Sequence, residues 1–332
     1  VGKQQIADRA IGRDQLDEGV LLNPLQIATL RWYEAIQTSG NFSVGDAPVA
    51  IAFDGVHIWV ANQGDKSLTK LRPSDGSIVG TYPVVNPFPA SPAALTPAAI
   101  SFDGTNIWVK TEEGVVVILK ASDGSLVNYW GGSSGLSALA FDGASMWVVG
   151  GGGFGTGLRK MTLSAGSIYV DDMGAGFGTG AMAFDGTNMW WAISDTAVAK
   201  INTSNGSIAG PYTANHGGGS PITVMAFDGA NIWVPNTGNN SVTKLRASDG
   251  SLVGSYGLGL DAFGPKGIVF DGANIWVASE SDKVTKLRAR DGSLVGVFPA
   301  GDTRSFFPNI GMAFDGANIW IVNTDTDTVT KR

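Results

Sequence analysis

An all-β fold, seven four-stranded antiparallel sheets closed into a ring, is predicted by three features of this sequence. Phe-Asp-Gly recurs seven times, at Phe53, Phe102, Phe141, Phe184, Phe227, Phe270 and Phe314, with successive copies 49, 39, 43, 43, 43 and 44 residues apart. Six positions after each phenylalanine stands a tryptophan: Trp59, Trp108, Trp147, Trp190, Trp233, Trp276 and Trp320. Each copy is also built from short apolar runs separated by glycine turns. A strand-rich repeat of roughly 40–45 residues marks a propeller with one blade per copy. The prediction is a seven-bladed β-propeller of four-stranded antiparallel blades, preceded by a short N-terminal extension and a helix.

The chain begins with a different pattern. In residues 1–23, Ile6, Ile11, Leu16 and Leu21 are spaced by five, which fits neither the helical period nor strand alternation. This stretch is expected to be an extended stem or a loosely docked leader. Residues 24–40 are expected to form a helix and linker. Asn23 is placed as the N-cap and Pro24 in the first turn, with Leu25, Ala28, Leu30, Trp32 and Tyr33 carrying the helix to about Gln37. An exposed Trp-Tyr face would be costly, so the propeller edge or a partner subunit should cover it.

Residues 41–332 are assigned to the ring. The fifth copy, 221–256, shows the unit. Val224-Met225-Ala226-Phe227 leads through Asp228-Gly229 into Ile232-Trp233-Val234. Asp-Gly between apolar runs is a hairpin signal, because glycine supplies positive φ. Ser241 to Arg246 alternates as a third strand, and Asp249-Gly250 turns the chain into a fourth, Ser251 to Tyr256. Strands a and b are apolar on both faces, as strands covered on both sides must be. The tryptophans are read as packing between blades, each indole N–H needing one partner. The seventh copy has strands a, b and c but no d. Asn41-Phe42-Ser43-Val44 resembles a strand d and is expected to pair with the last blade, removing the free edges of the ring. Thr-Lys-Leu-Arg, repeated in strand c (Lys70, Lys244 and Lys286 with Arg72, Arg246 and Arg288), is expected on the solvated outer rim.

In an antiparallel blade the a–b and c–d turns share one face of the disc. Those turns hardly change from copy to copy. The b–c and d–a connections share the other face and vary strongly, and variable loops on a rigid scaffold commonly carry function. The candidate binding residues on that face are Phe88, Phe154, Phe177, His216, Phe263, Arg304, Phe306 and Phe307. Such aromatics suit a protein or glycan ligand; the alternative is that they plug the ring's mouth or pack on neighbouring loops.

Composition sets limits. A formal net charge of -7 argues against a nucleic-acid partner. The absence of cysteine removes thiol chemistry and cysteine-based metal sites. No apolar run is long enough to span a membrane as a helix. Of the two histidines, His57 is expected in a surface turn, and His216 lies in a glycine loop with no sequence-linked partner. Gly131-Gly132-Ser133-Ser134-Gly135 spells a nucleophile elbow, but that motif needs a strand-to-helix turn and here it joins two strands. No cofactor or catalytic residue is assigned; Asp325 and Asp327 are a candidate pair for a calcium or magnesium ion, which needs more oxygens than two carboxylates offer.

Two resemblances add expectations. Gln5-Ile6-Ala7-Asp8-Arg9-Ala10-Ile11 resembles the stem repeats of phage tail fibres and related surface fibres. That resemblance implies self-association through the stem and an extracellular or surface location. Phe227 to Val234, followed by Val242 to Gly254, resembles bacterial seven-bladed propellers of the virginiamycin B lyase and NHL-repeat type. The lyase resemblance implies a histidine, acidic residues and magnesium on one face. Two functions follow as expectations: a non-enzymatic binding or structural head displayed on an N-terminal stem, or a metal-dependent lyase or hydrolase with its site at the ring mouth.

Overall fold

The computed structural model describes residues 40–88, 94–131, 135–150, 157–173, 180–214, 221–301 and 310–332. Within them the chain forms seven separate four-stranded antiparallel sheets. In blade 1 the strands are Pro48–Phe53, Ile58–Asn62, Ser67–Leu71 and Ile78–Pro83, paired in chain order. Blade 7 is assembled from both ends of the sequence. Met312–Phe314, Ile319–Asn323 and Thr328–Lys331 supply strands a to c, and Gly40–Ser43 lies antiparallel beside Thr328–Lys331 as strand d. The expected helix over 24–37 and the stem lie outside the described residues.

Burial follows from position in the ring. The b and c strands of blade 1 are buried at every residue, whereas its d strand is mostly exposed. Strand a faces the central channel and is partly covered. The apolar core therefore lies in the seams. One cluster joins Trp59, Ala61 and Leu68 of blade 1 to Ile107, Val109 and Val117 of blade 2. Another joins Ile51, Ile58 and Val60 to Trp320, Ile321 and Val322, closing the ring hydrophobically where the strand pairing also closes it.

The Phe-Asp-Gly turn is more than a glycine turn. In blade 1, Asp54 Oδ1 accepts the backbone N–H groups of Val56 and His57 at 2.8 and 2.6 Å. Its Oδ2 accepts the indole N–H of Trp59 at 2.7 Å. The same Asp-to-Trp bond is made in every blade, at 2.6 Å in blade 2 and 2.7 Å in the other six. The aspartate thus shapes the turn and satisfies the one polar atom of a large side chain driven into the seam.

Strand-c lysines complete this unit, and here the rim assignment is corrected. Lys70 and Lys244 are buried, and only the arginines two residues on, Arg72, Arg246 and Arg288, are exposed. Lys70 Nζ sits 4.9 Å from the centre of the Trp59 ring and donates to the carbonyls of Ala121 and Ser122 in the next blade, at 2.6 and 3.3 Å. Lys244 repeats this with Trp233, Ala289 and Arg290. Lys331 repeats it with Trp320, Pro73 and Ser74, crossing the ring closure. Alternation does place Lys and Arg on the same strand face. The long lysine stem then reaches into the seam, where the tryptophan face and the carbonyls replace water around the ammonium.

Strand-d aromatics bind the same seams from outside. Tyr212 of blade 4 stacks on Trp190 at 5.4 Å and lies over Gly250 of blade 5. A Cβ at Gly250, whose φ is +76°, would stand 2.1 Å from that ring. The glycine of the c–d turn is thus required both by the backbone and by the neighbouring blade.

The turn aspartates also set an acid limit. Burial works to raise the carboxyl pKa of Asp185 and Asp271. Hydrogen bonds from Asn188 and Trp190 to the former, and from Trp276, Asn274 and the turn backbone to the latter, outweigh it and hold both below the ordinary 3.8. The unfolded chain then takes up protons first as pH falls. The stabilisation is complete above about pH 4 and is lost as pH drops through the depressed native values. Urea midpoints measured between about pH 2 and 6 are expected to be flat above pH 4 and to fall below it; a midpoint that rises on acidification would contradict this.

Candidate functional site

The variable face is built on clamps that the sequence does not announce. The b–c turn of one blade grips the entry to strand a of the next. In blade 7, Thr324 Oγ1 donates to the Pro48 carbonyl at 2.7 Å and Asp327 Oδ1 accepts the Ala47 N–H at 2.9 Å. In blade 5, Thr237 Oγ1 donates to the Pro265 carbonyl and Asn240 Oδ1 accepts the Gly264 N–H, at 2.9 and 3.0 Å. Asn240 and Asp327 hold left-handed backbone, φ 54° and 53°, which suits these residue types. Beneath the turns, Asn62, Asn236 and Asn323 are fully buried, and each donates through Nδ2 to a Ser or Thr pair on strand c. The Asp325–Asp327 pair is therefore not a free chelate, since Asp327 holds the ring closure.

Two of the eight candidate residues are described. Phe88, in the connection from blade 1 to blade 2, is 39% exposed and meets Tyr129 edge-to-face at 5.1 Å, resting over Gly131. Phe263, in the connection from blade 5 to blade 6, is 54% exposed, and its backbone N–H is 3.3 Å from Ser281 Oγ. Leu260 in the same connection is fully exposed. The two phenylalanines share a face but not a pocket: three blades separate them one way round the ring and four the other. Phe154, Phe177, His216, Arg304, Phe306 and Phe307 lie outside the described residues.

The central channel is a cavity of about 240 Å³ walled by the strands a and the residues leading into them, including Ile51, Ile100, Leu139, Val224, Ile268 and Met312. Its lining is small or apolar, with Ser137 and Thr223 as its hydroxyl groups. Among the described residues no three His, Asp or Glu side chains come together in a group that could hold a metal. The magnesium that the lyase resemblance implies therefore finds no matching ligand set in the described part of the chain. His57 belongs to the opposite face. Its ring lies 3.8 Å from Asp54, and burial, with Lys70 nearby, holds its pKa below the ordinary 6.5.

No helix among the described residues is long and apolar enough to cross a membrane. No family model and no curated protein sequence matches the chain. Solved structures do. A streptogramin B lyase structure superposes with a TM-score of 0.65 at 17% identity, covering 88% of this chain and 96% of that one. Virginiamycin B lyase from Staphylococcus aureus gives 0.65 at 15% identity, covering 88% and 97%. At such identities the likeness is one of fold, and this chain is a seven-bladed β-propeller of the same architecture as those lyases.

Proposed function

We propose that the protein is a non-enzymatic recognition head that binds a protein or glycan through the variable face of the ring and is displayed on an oligomeric stem formed by its N-terminal residues. The observation that carries this reading is the exposure of Phe88 and Phe263 on connections pinned to the neighbouring blade. Exposed aromatic side chains held by rigid backbone lose little entropy on binding and are favoured at recognition surfaces. The stem is supported by the five-residue spacing of Ile6, Ile11, Leu16 and Leu21.

The test is a glycan array and a surface-protein array probed with the full chain and with a Phe88→Ala, Phe263→Ala double variant. The variant is expected to lose at least about ten-fold in retention while its urea stability changes by no more than about 1 kcal/mol, as for other exposed positions. Equal retention would reject the face. Light scattering on the full chain and on residues 38–332 tests the stem: an oligomer should fall to a monomer, and a monomer in both cases would remove it.

A second reading, a lyase acting at the ring mouth through His216, is favoured by the shared fold with the streptogramin B lyase structure over 88% of this chain. Cleavage of a streptogramin B substrate that disappears in His216→Ala would establish it.

A further inference from the structure

Six blades carry a lysine opposite the tryptophan of strand b, and blade 2 does not. The cross-strand partners are Trp59–Lys70, Trp147–Lys160, Trp190–Lys200, Trp233–Lys244, Trp276–Lys286 and Trp320–Lys331, whereas Trp108 faces Ile118. In the six, Nζ stands 4.5 to 5.6 Å from the tryptophan ring centre. In three of them it is also placed within 3.7 to 4.0 Å of the turn aspartate, at Asp142, Asp228 and Asp271. The chain therefore shows repeatedly which chemical group this Asp–Trp corner accepts.

Blade 2 keeps the corner. Asp103 Oδ2 accepts the Trp108 indole N–H at 2.6 Å, and its remaining recorded donors are the neutral N–H groups of Thr105 and Asn106. What changes is the cover. At the blade 5–6 seam the cleft on the turn face is lined by Lys244 and not by Trp233. At the blade 2–3 seam a cleft of about 300 Å³ is lined by Asp103, Asn106 and Trp108 themselves, with Phe141, Met161 and Leu163 among its apolar walls.

The facing turn of blade 3 differs as well. Elsewhere the c–d turn reads Ser-Asp-Gly, Arg-Asp-Gly or Ser-Asn-Gly, and carbonyls just before its Asp-Gly or Asn-Gly receive the lysine, two in the turns of blades 1, 2, 5 and 6 and that of Thr203 in blade 4. In blade 3 it is the tight Ala165-Gly166 hairpin, with φ of 49° and 79°, closing on the Ser164–Ser167 pair. Asn128 of blade 2 ties this hairpin down by donating to the Gly166 carbonyl at 2.6 Å. Nothing covers Gly166, whereas Phe42, Tyr82, Tyr212 and Tyr256 cover the corresponding glycines 76, 124, 250 and 292 and Met173 lies by Gly206. The seam is thus built to a different plan, and Asp103 with the edge of the otherwise buried Trp108 borders a cleft on the disc face.

We propose that this cleft binds a primary alkylammonium group, its nitrogen beside Asp103 at the edge of Trp108 and its methylenes along Phe141 and Leu163. A lysine side chain on a partner and a free small amine offer the same chemistry. An ammonium fits better than a guanidinium, because the sibling sites are filled by lysine throughout. In a partly desolvated cleft the carboxylate attracts the ammonium more strongly than it would in water.

The test follows the indole ¹⁵N–¹H resonances of the full-length protein during titration with n-butylammonium chloride. The Trp108 resonance should shift saturably, with a dissociation constant on the order of 1–10 mM, as suits so small a ligand. 1-Butanol at the same concentrations should leave it in place. Ile118→Lys should seat its own ammonium in the corner and abolish the shift. Should that variant not fold, Asp103→Asn, which removes the charge and keeps one of the two acceptor oxygens, should weaken binding about ten-fold or more. Binding by Nα-acetyl-lysine amide as well would identify a lysine side chain as the natural group, and binding by the free amine alone would identify a small amine. An equal response to 1-butanol, or a shift spread evenly over the motif tryptophans, would overturn the proposal.

Discussion

Removing residues 1–45 is expected to abolish cooperative folding, whereas removing residues 1–20 should leave the melting curve of the ring unchanged. The first deletion takes the fourth strand of blade 7. Gly40–Ser43 pairs residue for residue with Thr328–Lys331, and Val44 N–H adds a bond to the Asp327 carbonyl at 2.9 Å. Phe42 stacks on Trp320 at 5.7 Å and lies over Gly76 of blade 1. Asn41 accepts the hydroxyl of the buried Thr330 at 2.8 Å. Loss of Phe42 alone should cost about 3 kcal/mol by analogy with other large-to-small changes. The deletion also bares the backbone of Thr328–Lys331, an open edge that templates pairing with another chain. Against a total stability of roughly 5–15 kcal/mol, that combination should yield an aggregating chain without a sharp transition. Circular-dichroism melts with light scattering on the two truncations decide it: a 46–332 fragment that melts at the full-length temperature as a monomer would show that the ring does not depend on this strand.

The part of this architecture legible in the sequence is the part that repeats. Seven Phe-Asp-Gly turns with seven tryptophans gave the blade count, and the missing strand d of the last copy, beside the strand-like Asn41-Phe42-Ser43, pointed to the closure. Alternation misled at Lys70 and Lys244. Period-2 reasoning assigns a face, and in a propeller the polar face of strand c is the next seam, so a lysine there is buried with its partners instead of solvated. Those partners, the carbonyls of the next c–d turn, lie 45 to 52 residues on for Lys70 and Lys244 and carry no side-chain signal. Strand a of blade 5 is shorter than its apolar run: Val224 and Met225 line the channel, and the ladder is confined to Ala226–Phe227. Asp327 was read as a candidate cation ligand and Asn240 was passed over, because their grip on the next blade depends on the ring. On the variable face Phe88 and Phe263 lie exposed in their connections, and their separation around the disc was beyond any local pattern.

Comparison of two aspartates gives the other large effect. Asp228→Ala is expected to destabilise the protein by about 4–5 kcal/mol, and Asp103→Ala by only about 2–3 kcal/mol. Both changes leave a buried indole N–H without its acceptor and remove the bonds that shape the turn. A buried donor left unmatched costs about 1–3 kcal/mol. The difference lies in the lysine. Lys244 Nζ is 4.0 Å from Asp228, and both side chains are nearly fully buried. Removing one member of such a pair strands the other charge in a poorly solvated place, which is the costly part of breaking a buried ion pair. Ile118 spares blade 2 that term. Urea denaturation of the two variants should separate them by at least about 1 kcal/mol, and Lys244→Met should recover part of the Asp228→Ala loss by removing the stranded ammonium. Equal losses at the two sites, with no recovery in the double variant, would show that the lysines are held by their carbonyl and tryptophan contacts alone and that the turn aspartates act only on the indoles and the turns.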